Sequence, residues 1–167
     1  DTFVDRIAAA VPVVYGGRPV RSRGGDYYID VDNVAGARDA TAYLIGRGCR
    51  HIGAITGPPS MPAGVDRAEG YRVALADSGL TPAPVVQGDF TTESGAAAMR
   101  AILAAGEPLD GLFVASDLMA RGAMQVLAAE GIRIPDEVAV MGFDDSPVAL
   151  TTEPQLTTMR QPSFTQG

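Results

Sequence analysis

A chain of 167 residues, 46% of them hydrophobic, is long enough for one ordinary globular domain and has a net charge of −7. All 13 basic residues are arginine, and none of them form a basic cluster that would attract nucleic acid, so we expect no DNA binding by this segment itself. A single His and a single Cys exclude an internal disulfide and the usual zinc ligand set, and the apolar runs are too short to span a membrane.

Short apolar segments alternate with helical patterns along the chain. The predicted strands span residues 11–15, 26–31, 51–56, 83–87, 110–116 and 136–142. The predicted helices span residues 33–48, 65–80, 92–106 and 117–131. Strand and helix in alternation, with short loops, predict a doubly wound α/β fold with a parallel sheet and helices on both faces.

Small and polar residues follow four of the predicted strands. They lie at 57–60, 88–90, 116–117 and 142–145. Ligands of open parallel sheets bind beyond the carboxyl ends of the strands, where these segments converge. The sequence therefore favours a site for a small polar ligand at this edge.

Arg67 and Asp144 are the first candidates for that site. Asp144 is next to Asp145, and two adjacent carboxylates repel each other unless one of them meets a donor, for which Arg67 is the nearest candidate. An arginine and an aspartate on one rim suit the hydroxyls of a sugar. Other interpretations stay open, because Ser116 and Asp117 could be helix N-caps, Phe90 could be ordinary core, Arg67 could solvate a helix face and Asp145 could cap a short turn.

An enzyme is a competing hypothesis. Asp30 and Asp32 lie at the end of a predicted apolar strand, and with Thr56 they resemble motifs of haloacid-dehalogenase-type phosphatases. Most members of that family use a lysine, and this chain has none. His51 is the only available base, and no glycine fingerprint for a dinucleotide is present. The sequence therefore predicts no enzyme, no cofactor and no metal site.

Seven segments closely resemble, in this order, the effector-binding region of LacI/GalR-family transcriptional regulators. They are VPVVYGGRP, VDNVAGARDATAYLIGRGCRHIGAITGPP, RAEGYRVAL, GDFTTESG, LFVASDLMARGAM, GIRIPDEVAVMGFDD and LTTMRQP. The resemblance covers Val11 to Pro162 and implies a two-lobed, periplasmic-binding-protein-like sensor for a sugar or another small metabolite. It also implies a cytoplasmic homodimer that binds DNA only through an upstream helix-turn-helix headpiece.

The resemblance further implies how the chain divides. Residues 31–159 correspond to nearly all of a C-terminal lobe, residues 1–30 to a remnant of the N-terminal lobe, and residues 160–167 to a return crossover. We therefore expect a fragment of a longer regulator. An extracytoplasmic sugar-binding protein of the same fold is the alternative, and the segment IRIPDEVAVMGFDD favours the regulator.

Individual residues follow from the same resemblance. The positions that match ligand-binding residues of the family are Arg67, Phe90, Ser116, Asp144 and Gln161. Gly17 stands where some sugar-binding members have an aspartate. The helix over 117–131 matches a dimer-interface region, so we expect Met119, Ala123 and Val126 to contact a second subunit. Packing between the sheet and a neighbouring helix is the alternative for these three residues.

Overall fold

The computed structural model describes residues 6–7, 10–20 and 26–162. The chain forms two compact units, residues 1–31 with 162–167 and residues 32–161. The smaller unit contains strands β1 (Val14–Gly16) and β2 (Tyr27–Ile29), which pair in parallel. Among the described residues, no helix has the length and apolar character needed to cross a bilayer.

The larger unit is a five-stranded sheet with helices between the strands. Its strands are β3 (Ile52–Thr56), β4 (Val85–Gln87), β5 (Gly111–Val114), β6 (Ala139–Asp144) and β7 (Thr157–Arg160). Its helices are α1 (Asn33–Gly46), α2 (Pro62–Asp77), α3 (Thr92–Ala104), α4 (Asp117–Ala129) and a 3₁₀ helix over Pro147–Thr151. Adjacent strands in the order β4-β3-β5-β6-β7 are all parallel. The predicted α/β fold with a parallel sheet is confirmed.

The strand order explains the helix layers. The chain moves from β3 to β4 in one direction and then back across the sheet to β5, β6 and β7. Because such crossovers are right-handed, this reversal places α2 and α3 on opposite faces. Helix α1 packs against α2, and α3 packs against α4.

Glycines let the paired helices approach closely. A Cβ at Gly70 of α2 would lie 2.3 Å from the Val34 carbonyl oxygen of α1. A Cβ at Gly122 of α4 would lie 2.0 Å from the Thr92 carbonyl oxygen of α3, and one at Gly95 would lie 2.1 Å from that of Met119. Any side chain at these positions would force the helices apart.

Two sequence predictions about strands need correction. The strands predicted at 11–15 and 26–31 come from apolar runs that are typical of buried strands, but they are short and largely exposed, with Val14 62% and Tyr27 69% exposed. Each pairs only with the other among the described residues. Strand β7 was not predicted, because its sequence Thr-Thr-Met-Arg lacks the apolar run of a central strand and lies at the sheet edge.

The dimer contacts predicted at Met119, Ala123 and Val126 are also corrected. Met119 and Ala123 have no exposed surface, and Val126 is 5% exposed. The Met119 sulfur fills the space beside Gly88, where a Cβ would lie 2.5 Å away. These residues belong to the core of the chain itself, so a second subunit does not reach them in this conformation.

Candidate functional site

Arg67 and Asp144 form an ion pair at the carboxyl ends of the strands. The Arg67 side chain extends from α2, and its Nη1 donates to Asp144 Oδ1 over 3.0 Å. Arg67 is 5% exposed, whereas the Asp144 side chain keeps 31% of its surface. The arginine is therefore a buried support, and the carboxylate is the member that faces outward.

Three further groups fix the Arg67 guanidinium. Its Nε donates to Asn33 Oδ1 over 2.9 Å, and its Nη1 donates to the Ala115 carbonyl over 2.6 Å. Its Cζ lies 3.9 Å from the centre of the Phe143 ring, within the range of a cation–π interaction. Groups from α1, β6 and the end of β5 thus hold the guanidinium in one place.

Asp144 ends strand β6 and accepts a second hydrogen bond from the amide of Gln161 at Oδ1. Burial raises the pKa of Asp144 above its ordinary value of 3.8, while the Arg67 charge and the Gln161 hydrogen bond lower it. The charge of Asp117 raises this pKa further. Among the described residues, no group donates to Asp144 Oδ2. The partly exposed Asp144 carboxylate therefore has acceptor capacity that these two hydrogen bonds do not use.

Phe90 lies at the same edge, in a half-buried position 6.0 Å from the Arg67 Cζ, measured to the ring centre. Its backbone has a φ of +70°, which is unusual for a bulky residue. The ring covers Gly57, since a Cβ there would lie 2.2 Å from Phe90 Cζ. Phe90 is therefore both a packing residue and a partly exposed apolar wall.

Ser116 and Asp117 have different roles from each other. Ser116 is the N-cap of α4, and its hydroxyl accepts from the Met119 N–H over 3.3 Å. Asp117 is not the cap, because its carboxylate accepts from the Ser146 N–H over 2.7 Å and from the Thr158 hydroxyl over 2.5 Å. The capping interpretation thus applies to Ser116, and its contact with a ligand stays a prediction.

Asp145 braces the turn after β6. Its Oδ2 accepts from Arg160 Nε of β7 over 2.5 Å. The two adjacent carboxylates at 144 and 145 therefore have separate cationic partners, which relieves the repulsion that the sequence predicted. Asp145 thus pairs with Arg160 at the end of the strand, whereas Asp144 pairs with Arg67 in the candidate site.

The structure brings together Arg67, Asp144 and Gln161, with Phe90 close by. Sequence reasoning missed Asn33 and Phe143, and no local pattern marks either residue as a partner of Arg67.

Gly17 belongs to the smaller unit and has a φ of +90°, where an aspartate would be strained. The part of the chain that the structure describes contains no group of three or more metal-binding side chains.

Comparison with known proteins gives the family. Residues 41–165 match the model of a periplasmic binding protein-like domain. The chain belongs to the periplasmic binding protein-like family. Within it, the predicted resemblance to the effector-binding region of LacI/GalR-family regulators is confirmed by the relatives and solved structures described next.

The relatives of this periplasmic binding protein-like chain are transcriptional regulators. It is 48% identical over 162 residues to the HTH-type transcriptional regulator CelR of Thermobifida fusca, covering 95% of this chain and 48% of that protein. It is 36% identical over 141 residues to the repressor CytR of Escherichia coli K12, covering 83% of this chain and 41% of that protein. The chain therefore spans about half the length of the curated relatives it matches, or less.

Solved structures agree with the family. A CelR–cellobiose complex has a TM-score of 0.86 and 47% identity, covering 95% of this chain and 49% of that one. A sugar-binding transcriptional regulator of the LacI family from Escherichia coli also has a TM-score of 0.86, with 31% identity, covering 98% of this chain and 60% of that one.

Proposed function

We propose that this chain is the sugar-sensing part of a LacI-family transcriptional regulator. The observation that supports this most directly is the Arg67–Asp144 pair, in which a buried arginine orients a carboxylate whose Oδ2 has no donor among the described residues. A carboxylate oxygen accepts hydrogen bonds from sugar hydroxyls, and a neighbouring aromatic ring contacts the apolar face of a pyranose. Phe90 supplies that ring.

The effector we propose is a glucose disaccharide of the cellobiose type. An identity of 47% with a regulator whose solved structure is a complex with cellobiose supports this choice. In this proposal Asp144 receives a sugar hydroxyl at Oδ2, while Arg67 and Gln161 hold the carboxylate ionised and oriented. Ser116 and Phe90 complete the contacts from the ends of β5 and β4.

The remaining parts of the proposal concern the whole regulator. We infer that it works in the cytoplasm, catalyses no reaction, and binds DNA through a helix-turn-helix headpiece that precedes this segment. The relatives are regulators, which favours this reading over a transport protein of the same fold. The acidic composition agrees with a sensor segment that does not itself touch DNA.

The proposed homodimer needs a different surface from the one predicted. Leu118 of α4 is 41% exposed, and Leu150 of the 3₁₀ helix that packs against α4 is 69% exposed. We propose that these two leucines, on elements that pack against each other, belong to one apolar surface that a second copy of the chain covers. We place the interface there instead of on the buried face of the helix.

Titration calorimetry tests the sugar proposal. Cellobiose, maltose and glucose are titrated into the chain, into the intact regulator, and into the Asp144→Asn variants of both. We expect saturable binding of cellobiose that the substitution weakens at least tenfold, since it removes a charge-assisted hydrogen bond. Asp136→Asn is the control, because its exposed carboxylate pairs with Arg133 at the surface and Asp136 is not one of the residues of the proposed site. Absence of cellobiose binding by the intact regulator would overturn the effector assignment.

A further inference from the structure

A buried carboxylate lies directly behind the proposed sugar site. Asp117 has no exposed surface, although it is an acid with no salt bridge among the described residues. It accepts the Ser146 N–H at one oxygen and the Thr158 hydroxyl at the other. Burying a carboxylate away from water is unfavourable unless hydrogen bonds compensate for the lost hydration, so both contacts stabilise the fold.

The surrounding chain is shaped to admit this carboxylate. Gly142 of β6 has no side chain, and a Cβ there would lie 2.6 Å from Asp117 Oδ1. Gly142 is two residues before Asp144, so the carboxylate lies against the same strand that ends in the site. The contact between α4 and the end of β6 is therefore close and polar.

The turn that Asp117 contacts is strained. Asp144 has a φ of +118° and Asp145 a φ of +55°, and neither residue is a glycine. Backbone in this region persists only where the surrounding structure holds it. The Ser146 N–H donates directly to Asp117. The Asp145 N–H donates over 3.4 Å to the Thr158 hydroxyl, which in turn donates to Asp117.

The same carboxylate also fixes strand β7. Thr158 lies in β7, opposite Gly142 in the parallel register. Gln161, which follows that strand, donates to Asp144 Oδ1. One buried group thus reaches both sides of the site, the turn at Asp144 and the strand that leads to Gln161.

We propose that Asp117 is a positioning residue of the sugar site, which holds the strained Asp144–Asp145 turn and strand β7 in the geometry that receives the effector. This proposal rests on the proposed sugar-sensing function. In this proposal Asp117 makes no contact with the sugar. It acts through Ser146 and Thr158, and its charge acts on Asp144.

Two substitutions separate geometry from charge. Asp117→Ala removes both acceptors, so the turn and β7 lose their common anchor, and we expect the affinity for cellobiose to fall by about tenfold or more. Asp117→Asn keeps a carbonyl acceptor for Ser146 and a group that can still bond to Thr158, so the loss should be smaller. The asparagine variant, however, removes the negative charge near Asp144.

The effect of the Asp117 charge can be measured as a change in the pKa of Asp144, which a mere loss of folding stability would not produce. The Asp117 charge is one of the causes that raise the pKa of Asp144, alongside burial, and Arg67 is the cation that opposes them. In Asp117→Asn the pKa of Asp144 should therefore fall. Carboxyl ¹³C NMR of the ligand-free chain measures it, with Asp144→Asn to assign the signal, and needs no sugar.

Asp110→Asn is the matched control. Asp110 precedes β5 as Asp117 follows it, and it also accepts backbone N–H groups, from Arg50 and His51. We expect this variant to lose stability while the sugar affinity and the pKa of Asp144 stay unchanged.

The outcomes are distinct. An unchanged Asp144 titration in Asp117→Asn, or unchanged cellobiose affinity in a folded Asp117→Ala variant, would overturn the positioning role. If the unmodified regulator binds no sugar, the proposed function fails, and the NMR titration alone decides whether Asp117 controls Asp144.

Discussion

Arg67 Nη1 lies 3.0 Å from Asp144 Oδ1, although the two residues are 77 positions apart in the chain. The pair joins α2 to the end of β6 and has one buried and one half-exposed member. Because the arginine is desolvated, its remaining partners at Asn33, Ala115 and Phe143 are needed to compensate it. The pair is therefore part of the structure of the domain as well as of the proposed binding site.

Replacing Arg67 with methionine should destabilise the chain and abolish sugar binding. The change leaves the Asp144 carboxylate without its cation, and we expect a loss of about 2–3 kcal/mol, reduced from the value for a fully buried pair because Asp144 is partly solvated. Urea denaturation measures it. Arg38→Met is the control, since its salt bridge to Asp77 is about half exposed at both ends and should contribute less than about 1 kcal/mol. Equal losses in the two variants would contradict the prediction.

Sugar affinity should fall on acidification. Because burial raises the pKa of Asp144, the fall should occur at a pH above 3.8, the ordinary pKa of an aspartate. Protonation removes the charge that accepts the sugar hydroxyl. Calorimetry between pH 7 and pH 4 should show this loss, and Asp144→Asn should bind weakly with a flat profile over the same range. If the sugar affinity of the unmodified chain depended on pH as little as that of Asp144→Asn, the prediction would be wrong.

The raised pKa of Asp144 makes the free energy of unfolding depend on pH in the opposite direction to the sugar affinity. Between 3.8 and the raised value, the folded chain holds a proton on Asp144 that the unfolded chain releases. The contribution of Asp144 to the free energy of unfolding therefore decreases as the pH rises through this window. The difference in stability between the unmodified chain and Asp144→Asn, measured across the window, should show this slope.

Replacing Gly57 with alanine should displace the Phe90 ring. The new Cβ would lie 2.2 Å from Phe90 Cζ and 2.9 Å from Gly64 Cα, so the ring or the backbone must shift. We expect a stability loss of about 1–3 kcal/mol and weaker sugar binding. Gly46→Ala is the control, because no atom of the described residues outside its own helical turn and its chain neighbours lies within 4 Å of its Cβ position near the end of α1. That change should leave binding intact and stabilise the helix by up to about 1 kcal/mol.

Replacing Leu118 or Leu150 with glutamate should convert the proposed homodimer to a monomer. A charge on the exposed apolar surface of α4 and the 3₁₀ helix disfavours its burial against a second copy. Light scattering after gel filtration measures the mass. Val65→Glu is the control, since Val65 is 48% exposed on α2. A dimer that survives both leucine substitutions, or that Val65→Glu also dissociates, would contradict this interface.

The sequence predicted four of the five strands of the larger sheet but not β7, because alternation of apolar runs with helical patterns is a local property and β7 has no apolar run. It also predicted that Arg67 and Asp144 come together, since Asp144 ends β6 and Arg67 lies in the segment that follows β3, at the same edge of the sheet. It did not reveal Asn33 or Phe143, whose roles depend on packing between segments far apart in the chain. The error at Met119 has a similar cause: an apolar helix gives no local sign of which side faces the sheet and which side faces solvent.

The close contacts of the paired helices at Gly70, Gly95 and Gly122 also bear on how this domain can diversify. No larger side chain fits at these positions, so the scaffold has little freedom to vary there. In the segments that follow the strands, two glycines are constrained in the same way, Gly57 by the Phe90 ring and Gly88 by the Met119 sulfur. Exposed positions in these segments, such as Pro59, Ser60 and Asp89, have room to vary. New effector preferences can therefore arise by substitution in these segments while the helix pairs stay unchanged. A library restricted to them would sample different sugars on one conserved framework.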